Sequence, residues 1–218
     1  WVVWLLSMPF LGVPAYLFLG HHRVTGLMIA RRDSARVVTA VQTFSEAERP
    51  NEPPPVPLGP FEAAAQMPAV RGNAMALLID GHATFEAIFD AIDGAEAYVL
   101  VQFYIIRDDR LGRELAARLT AARARGVEVW LLYDAIGSMG LPGAYRLKLE
   151  KAGIRVIDPR RARGPKQRFR INFRNHRKTV VVDGRVGFVG GHNVGVEYLG
   201  EDPDFGRWRD THLRLEGP

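Results

Sequence analysis

Between residues 76 and 157 two kinds of apolar pattern take turns, and that alternation restricts the folds open to this chain more than any other feature. Ala76 to Ile79 is a short apolar run of strand length, and Thr84 to Ile92 carries its apolar residues at helical spacing. Tyr98 to Ile106 is a long β-branched and aromatic run, followed by a helical pattern from Leu111 to Arg125 that Gly126 stops. Val127 to Tyr133 reads as the next buried strand, Tyr145 to Ala152 as a helix closed by Gly153, and Ile154 to Ile157 as a further strand. Strand and helix in alternation predict an α/β domain with a mostly parallel sheet and helices on both faces. Residues 176 to 189 depart from that rhythm, because Thr179 to Val182 and Val186 to Val189 flank Asp183-Gly184, the pattern of a tight hairpin.

Upstream of this region the composition changes twice. Trp1 to Gly20 holds no charged side chain and reaches the roughly 20 residues a bilayer requires, which predicts a transmembrane helix kinked by Pro9 and Pro14. His21, His22, Arg23, Arg31, Arg32 and Arg36 follow. Membrane helices carry such basic flanks on their cytoplasmic side, so the downstream domain is expected to face the cytoplasm. Arg49 to Pro60 contains six prolines, too many for a helix or a central strand, and reads as a semi-rigid linker. The expected organisation is a span over 1–20, a juxtamembrane segment and linker over 21–69, and the α/β domain over 70–218. Because the sequence opens on Trp1 and not on an initiator Met, it is read as a fragment. Without a cysteine, the chain has neither disulfides nor thiolate chemistry.

The net charge of +5 is unevenly spread. Arg160, Arg161, Arg163, Lys166, Arg168, Arg170, Arg174, Arg177 and Lys178 follow one another with no acid among them. Such a stretch seeks anions, nucleic-acid phosphates and anionic lipid headgroups alike. At its end, strand alternation would turn His176, Lys178, Val180 and Val182 to one side and Arg177, Thr179 and Val181 to the other. Phosphoryl transfer needs a nucleophile or proton carrier that works near neutral pH and a fixed cation for non-bridging oxygens, and an imidazole beside an ammonium supplies both. Taken alone, a His-x-Lys pair is common on strand surfaces. Downstream, Gly190 and Gly191 would let a phosphate approach the backbone, and Asn193 could donate its amide to a phosphate oxygen. Asp183 sits where an Asp-Gly turn favours aspartate for backbone geometry. A nucleophilic histidine also needs its second ring nitrogen held by an acceptor, and Asp210 is the candidate. His192, His212, Asp202 and Asp204 match no strong metal-ligand spacing, so neither metal nor cofactor is expected.

From His176 the chain reads His-Arg-Lys-Thr-Val-Val-Val-Asp-Gly-Arg-Val-Gly-Phe-Val-Gly-Gly-His-Asn. That string resembles the signature of the phospholipase D superfamily, with His176, Lys178 and Asp183 in its three named positions and Gly190, Gly191 and Asn193 at its downstream spacing. Phe-Tyr-Ile-Ile-Arg-Asp-Asp at 103–109, Leu-Leu-Tyr-Asp-Ala-Ile-Gly-Ser at 131–138 and Asn-Phe-Arg-Asn-His-Arg-Lys at 172–178 resemble bacterial cardiolipin synthases. So do Glu-Tyr-Leu-Gly at 197–200 and Trp-Arg-Asp-Thr-His-Leu-Arg at 208–214. The apolar start, Met8-Pro9-Phe10-Leu11-Gly12-Val13-Pro14, is similar to their second membrane segment, whereas Gln102 stands where many of them carry glutamate.

The resemblance implies a phospholipase D-like mixed sheet flanked by helices, one half of a pseudo-twofold fold in which two copies of the histidine motif meet. This chain carries one copy, so the second is expected from a missing C-terminal part or from a homodimer. The implied reaction joins two phosphatidylglycerol molecules into cardiolipin and glycerol through a phosphohistidine. In that reaction His176 is the nucleophile, Lys178 and Asn193 bind the phosphate, Asp210 orients His176, and no metal takes part. Anionic phospholipid and the bacterial inner membrane are the implied partners, not nucleic acid. Phosphatidylserine synthesis, lipid hydrolysis, nuclease action by a dimer and non-catalytic lipid binding remain open on the residues alone, with the apolar start weighing against a nuclease.

Overall fold

The computed structural model describes residues 2–19, 39–51, 56–157 and 175–217, and the chain divides into two units, Trp1–Arg71 and Gly72–Pro218. The basic segments expected to flank a membrane (21–36) and to precede the histidine (160–174) lie outside the described residues. In the first unit the apolar start forms two helices, α1 (Val2–Ser7) and α2 (Pro9–Leu19), in place of the single expected span. Pro9 has no N–H to continue the helical ladder, so α1 ends and a new helix starts beyond Met8. With 11 residues α2 rises only about 16 Å against a hydrocarbon core of about 30 Å. Among the described residues no helix is long and apolar enough to cross a membrane. Residues 39–47 form α3 ahead of the proline-rich stretch, and α4 (Gly59–Ala65) begins at its end with Pro60 in the first turn, where a missing N–H costs nothing.

The second unit is built on strands β1 (Ala74–Ile79), β2 (Tyr98–Phe103), β3 (Glu128–Tyr133), β4 (Arg155–Ile157), β5 (Thr179–Val182), β6 (Val186–Gly190) and β7 (Thr211–Glu216). Helices α5 (Asp80–Asp93), α6 (Arg110–Ala124) and α7 (Gly143–Lys151) connect the first four. The seven strands form one sheet in the order β1-β7-β6-β5-β2-β3-β4. Only β2, β3 and β4 are parallel neighbours; every other pairing is antiparallel. The sheet is therefore mixed, not mostly parallel. Helical crossovers produce the parallel part, and the β5–β6 hairpin reverses direction through Asp183 and Gly184, both at positive φ (54° and 70°).

Alternate residues of the strands enter the core. Val99, Val101 and Phe103 of β2, Val129 and Leu131 of β3, and Val180 and Val182 of β5 pack with Ile88 and Ile92 of α5, Leu115 and Leu119 of α6, and Leu149 of α7. On the opposite face Leu77, Leu100 and Val189 are 59%, 41% and 42% exposed. Among the described residues the helices therefore cover one sheet face, not the two expected.

Strand direction decides where the chemistry goes. The C-terminal ends of β1, β2, β3 and β6 and the N-terminal ends of β5 and β7 share one edge of the sheet. Asp80, Tyr104, Asp134, Lys178, Gly191 and Asp210 all adjoin strand ends on that edge. Asp183 lies at the opposite edge, one strand-length from Lys178, because Val182 pairs with Val99 at the start of β2. Its carboxylate accepts hydrogen bonds from the amides of Glu96 (2.9 Å), Ala97 (2.9 Å) and Tyr98 (2.7 Å), so the third motif position pins the hairpin to β2 and takes no part in the histidine site.

A second buried group sits behind the functional edge. His192 and His212 are 0% and 1% exposed, with their Nδ1 atoms 3.1 Å apart, so one ring donates and the other accepts. Thr84 Oγ1 approaches His192 Nδ1 at 3.5 Å. Burial and the neighbouring His192 push His212 down to about 4, with Lys178 adding to them and Asp210 opposing. Burial lowers His192 as well, against the pull of Asp210 and Asp80.

Two stability effects are expected. Burial raises the Asp183 pKa, but the Glu96, Tyr98 and Ala97 amides and Arg185 outweigh it and hold the carboxyl below the usual carboxylate range. Its contribution is thus present above an unfolded value near 4 and lost as pH falls through the folded one. Asp183→Ala should cost about 2 kcal/mol in urea unfolding near neutral pH and flatten the loss of stability below about pH 4. His212, by contrast, is protonated in the unfolded chain from about pH 6.5 downwards but not in the fold until about 4, so stability falls with pH across that window. The loss amounts to about 3 kcal/mol, and His212→Gln should remove most of that slope in unfolding curves taken between pH 7 and 4.

Candidate active site

β2 ends at Phe103, and the next residue, Tyr104, turns its ring toward the segment that leads into β5. In that segment His176 is exposed and Lys178 is 4% exposed. The two side chains meet as alternation predicts: Lys178 Nζ donates to His176 Nδ1 at 2.9 Å and to the His176 carbonyl oxygen at 3.0 Å. The Tyr104 ring lies 4.4 Å from the imidazole, centroid to centroid, and 5.5 Å from the ammonium. Burial lowers the Lys178 pKa and the charge of Asp210 partly restores it. The site therefore presents an open imidazole backed by a desolvated cation, a combination suited to receiving a phosphate monoanion.

Asp210 is brought to the same edge, yet it makes no hydrogen bond to His176. Its Oδ1 accepts the Thr211 amide at 2.7 Å, and its charge acts on Lys178, His192 and His212. Lys178, not Asp210, makes the hydrogen bond to the imidazole. The backbone of Asp210 is tied to α5, since Asp80 N donates to the Asp210 carbonyl at 3.0 Å and Asp210 N donates to Asp80 Oδ1 at 3.3 Å. Gly190 and Gly191 lie against residues of their own chain. A Cβ on Gly191 would overlap the Asp210 carboxylate, and one on Gly190 the His212 ring, so the missing side chains make room for those two residues. Asn193 is 5% exposed and braced inside: its Oδ1 accepts the Ile105 amide at 3.0 Å and its Nδ2 donates to the Tyr198 hydroxyl at 2.9 Å. Among the described residues no three His, Asp or Glu side chains gather as metal ligands.

Three residues of the site escape a reading of the sequence. Tyr104 lies in an aromatic run that reads as core, and Asp134 and Ser138 lie in a turn after β3. Asp134 accepts the amide of Asn175 at 3.0 Å, and Ser138 Oγ donates to the Tyr104 carbonyl at 3.2 Å. Each interaction joins segments far apart in sequence, so no local pattern announces it.

Residues 88–203 match the family described as the cardiolipin synthase, PLD-like domain. Cardiolipin synthase A of Pseudomonas aeruginosa strain LESB58 is 43% identical over the whole of this chain and 46% of its own length, and that of Pseudomonas fluorescens strain SBW25 is 43% identical over 47% of its length. The chain thus spans about half the length of the curated relatives it matches. Among solved structures, phosphatidylserine synthase of Haemophilus influenzae aligns with 65% of this chain and 33% of its own at 14% identity and a TM-score of 0.49. The Nuc protein of Salmonella typhimurium aligns with 66% of this chain and 84% of its own at 17% identity and a TM-score of 0.47. With a family match over more than half its residues and relatives 43% identical from end to end, the chain belongs to the cardiolipin synthase family of phospholipase D-like domains.

Proposed function

We propose that this chain supplies one histidine half-site of a phosphatidyltransferase that joins two phosphatidylglycerol molecules into cardiolipin and glycerol. The observation that carries the reading is the Lys178 ammonium 2.9 Å from Nδ1 of an exposed imidazole, in a chain 43% identical to cardiolipin synthases. An arriving phosphodiester draws the ammonium onto a non-bridging oxygen and frees the ring nitrogen. That nitrogen attacks phosphorus; the N–P bond forms as the P–O bond to glycerol breaks, and the departing oxygen takes a proton from the second half-site. A hydroxyl of a second phosphatidylglycerol then gives its proton to that same group of the second half-site as it attacks phosphorus, the N–P bond breaks, and cardiolipin leaves. The second histidine motif comes from a further part of the chain, in keeping with the twofold greater length of the relatives, or from a second copy.

The same reading puts the enzyme at the bacterial cell membrane with its site on the cytoplasmic side. The exposed Val2, Val3, Trp4, Leu6 and Phe10 offer apolar surface to lipid, and the arginines and histidines over 21–36 suit an anionic leaflet. Asn193 and Lys178 serve the phosphate, Asn193 through the backbone it holds, and the charge of Asp210 favours the protonated Lys178 against its burial. His176→Ala in the full-length enzyme should lower cardiolipin formation on phosphatidylglycerol vesicles at least about a thousandfold while circular dichroism stays unchanged. Cardiolipin output retained in that variant sinks the assignment, and a product that is phosphatidate, phosphatidylserine or cleaved DNA reassigns the acceptor.

A further inference from the structure

The turn after β3 resembles the family yet is left unused by the transfer just described, and it touches both the main chain ahead of the histidine and the residue whose ring flanks it. Asp134 is 5% exposed and each of its carboxylate oxygens is engaged. Oδ1 accepts the amides of Ile136 at 2.8 Å and Gly137 at 3.1 Å, an ordinary aspartate turn at a strand end. Oδ2 accepts the amide of Asn175 at 3.0 Å, across 41 residues, and nothing in the local turn requires that bond. Asn175 Oδ1 in turn accepts the Arg177 amide at 3.3 Å, which fixes the peptide on both sides of His176.

The same turn secures the opposite wall. Ser138 Oγ donates to the Tyr104 carbonyl at 3.2 Å and accepts the Ile106 amide at 3.0 Å. Gly137 has no side chain where the Tyr104 ring and carbonyl pass. A single five-residue turn therefore holds both the ring that flanks the imidazole and the main chain from which the imidazole hangs.

We propose that Asp134 is a positioning residue for His176, clasping the main chain one residue ahead of the imidazole and so fixing its approach to phosphorus. The inference rests on the reading of His176 as the phosphate acceptor. A carboxylate is needed because both oxygens must accept. An asparagine here has one acceptor, which satisfies the two turn amides, and its NH2 then faces the Asn175 N–H, so the turn survives while the clasp opens.

The test uses the full-length enzyme with phosphatidylglycerol vesicles and rapid-quench measurement of phosphohistidine. Asp134→Asn should lower the rate constant of phosphohistidine formation about ten- to a hundredfold, with burst amplitude within about twofold and KM within about threefold of the parent. A reduced amplitude with an unchanged rate constant makes Asp134 a fold residue and overturns the proposal, as does no change in either. Carbethoxylation by diethyl pyrocarbonate, read by peptide mass against the exposed His82, probes the clasp without turnover. The His176 to His82 rate ratio should rise at least about threefold in Asp134→Asn as the ring leaves the Lys178 contact, and an unchanged ratio overturns the proposal. Asp134→Ser, whose hydroxyl can serve the turn but not reach Asn175, is held to the same outcomes should the asparagine variant fail to fold. If the parent forms no phosphohistidine while the labelling ratio still responds, the transfer reading fails and the clasp stands.

Discussion

The antiparallel pairing of β5 against β2 is the constraint on which the site depends. The two strands are about 80 residues apart in sequence, and Thr179 sits opposite Gln102 while Val182 sits opposite Val99. Because β5 runs against β2, the residues that precede it arrive beside the residues that follow β2 and its parallel neighbour β3. A parallel β5 would have delivered His176 and Lys178 to the far edge, among the amides that hold Asp183, and left Tyr104 and the 134–138 turn with nothing to support. The hairpin then returns β6 in the direction of β2, which brings Gly190 to Asn193 to the same edge, and β7 leaves from that edge with Asp210 at its start. Ligand sites at the carboxyl ends of sheet strands are a general consequence of such topologies. Here antiparallel strands enlarge the site by contributing their amino ends to it.

The local rhythm of the sequence carries β2 through β4 and α5 through α7 because each is an apolar pattern of one period bounded by turn residues. Gly126 and Gly153 end two helices as expected, both at positive φ (98° and 85°). β7 is hidden for a physical reason. Its core-facing positions hold His212 and Arg214, and its other face holds Leu213 and Leu215, so the polarity of the strand is inverted relative to the rule that reads alternation. The pairing of β1 with β7, the first and last strands, is a contact across the whole domain that no window of residues encodes. The apolar start failed as a single helix at one atom, the missing amide hydrogen of Pro9.

Of the site, the pairing of His176 with Lys178 was legible because residues two apart in an extended chain share a side whatever the fold around them. Asp183 was legible as a turn residue for the same local reason. Asp210 was found in place but not in contact, since its target depends on where Lys178 goes, and Lys178 reaches the imidazole first. The glycines illustrate the limit most clearly. A Gly-Gly pair announces that something approaches closely, but whether that is a phosphate or a carboxylate and an imidazole of the same chain is decided by β7.

Burying an ammonium is unfavourable unless its donors are used, and Lys178 has three. The His176 ring nitrogen and carbonyl oxygen take two, the face of Tyr104 lies near, and the carboxylate of Asp210 supplies opposing charge without a direct bond. That arrangement leaves the cation poorly compensated, since a neutral ring nitrogen and a carbonyl oxygen replace what water would have given. In the proposed reaction, a phosphodiester entering at His176 would improve the balance on both counts: it would bring a full negative charge to the ammonium and take the place of the one partner, the imidazole, that the reaction needs released. Asp210 must then stay at arm's length. In direct contact with Lys178 it would neutralise the cation before substrate arrived, and the space vacated at Gly191 is what lets the carboxylate sit against the strand end instead.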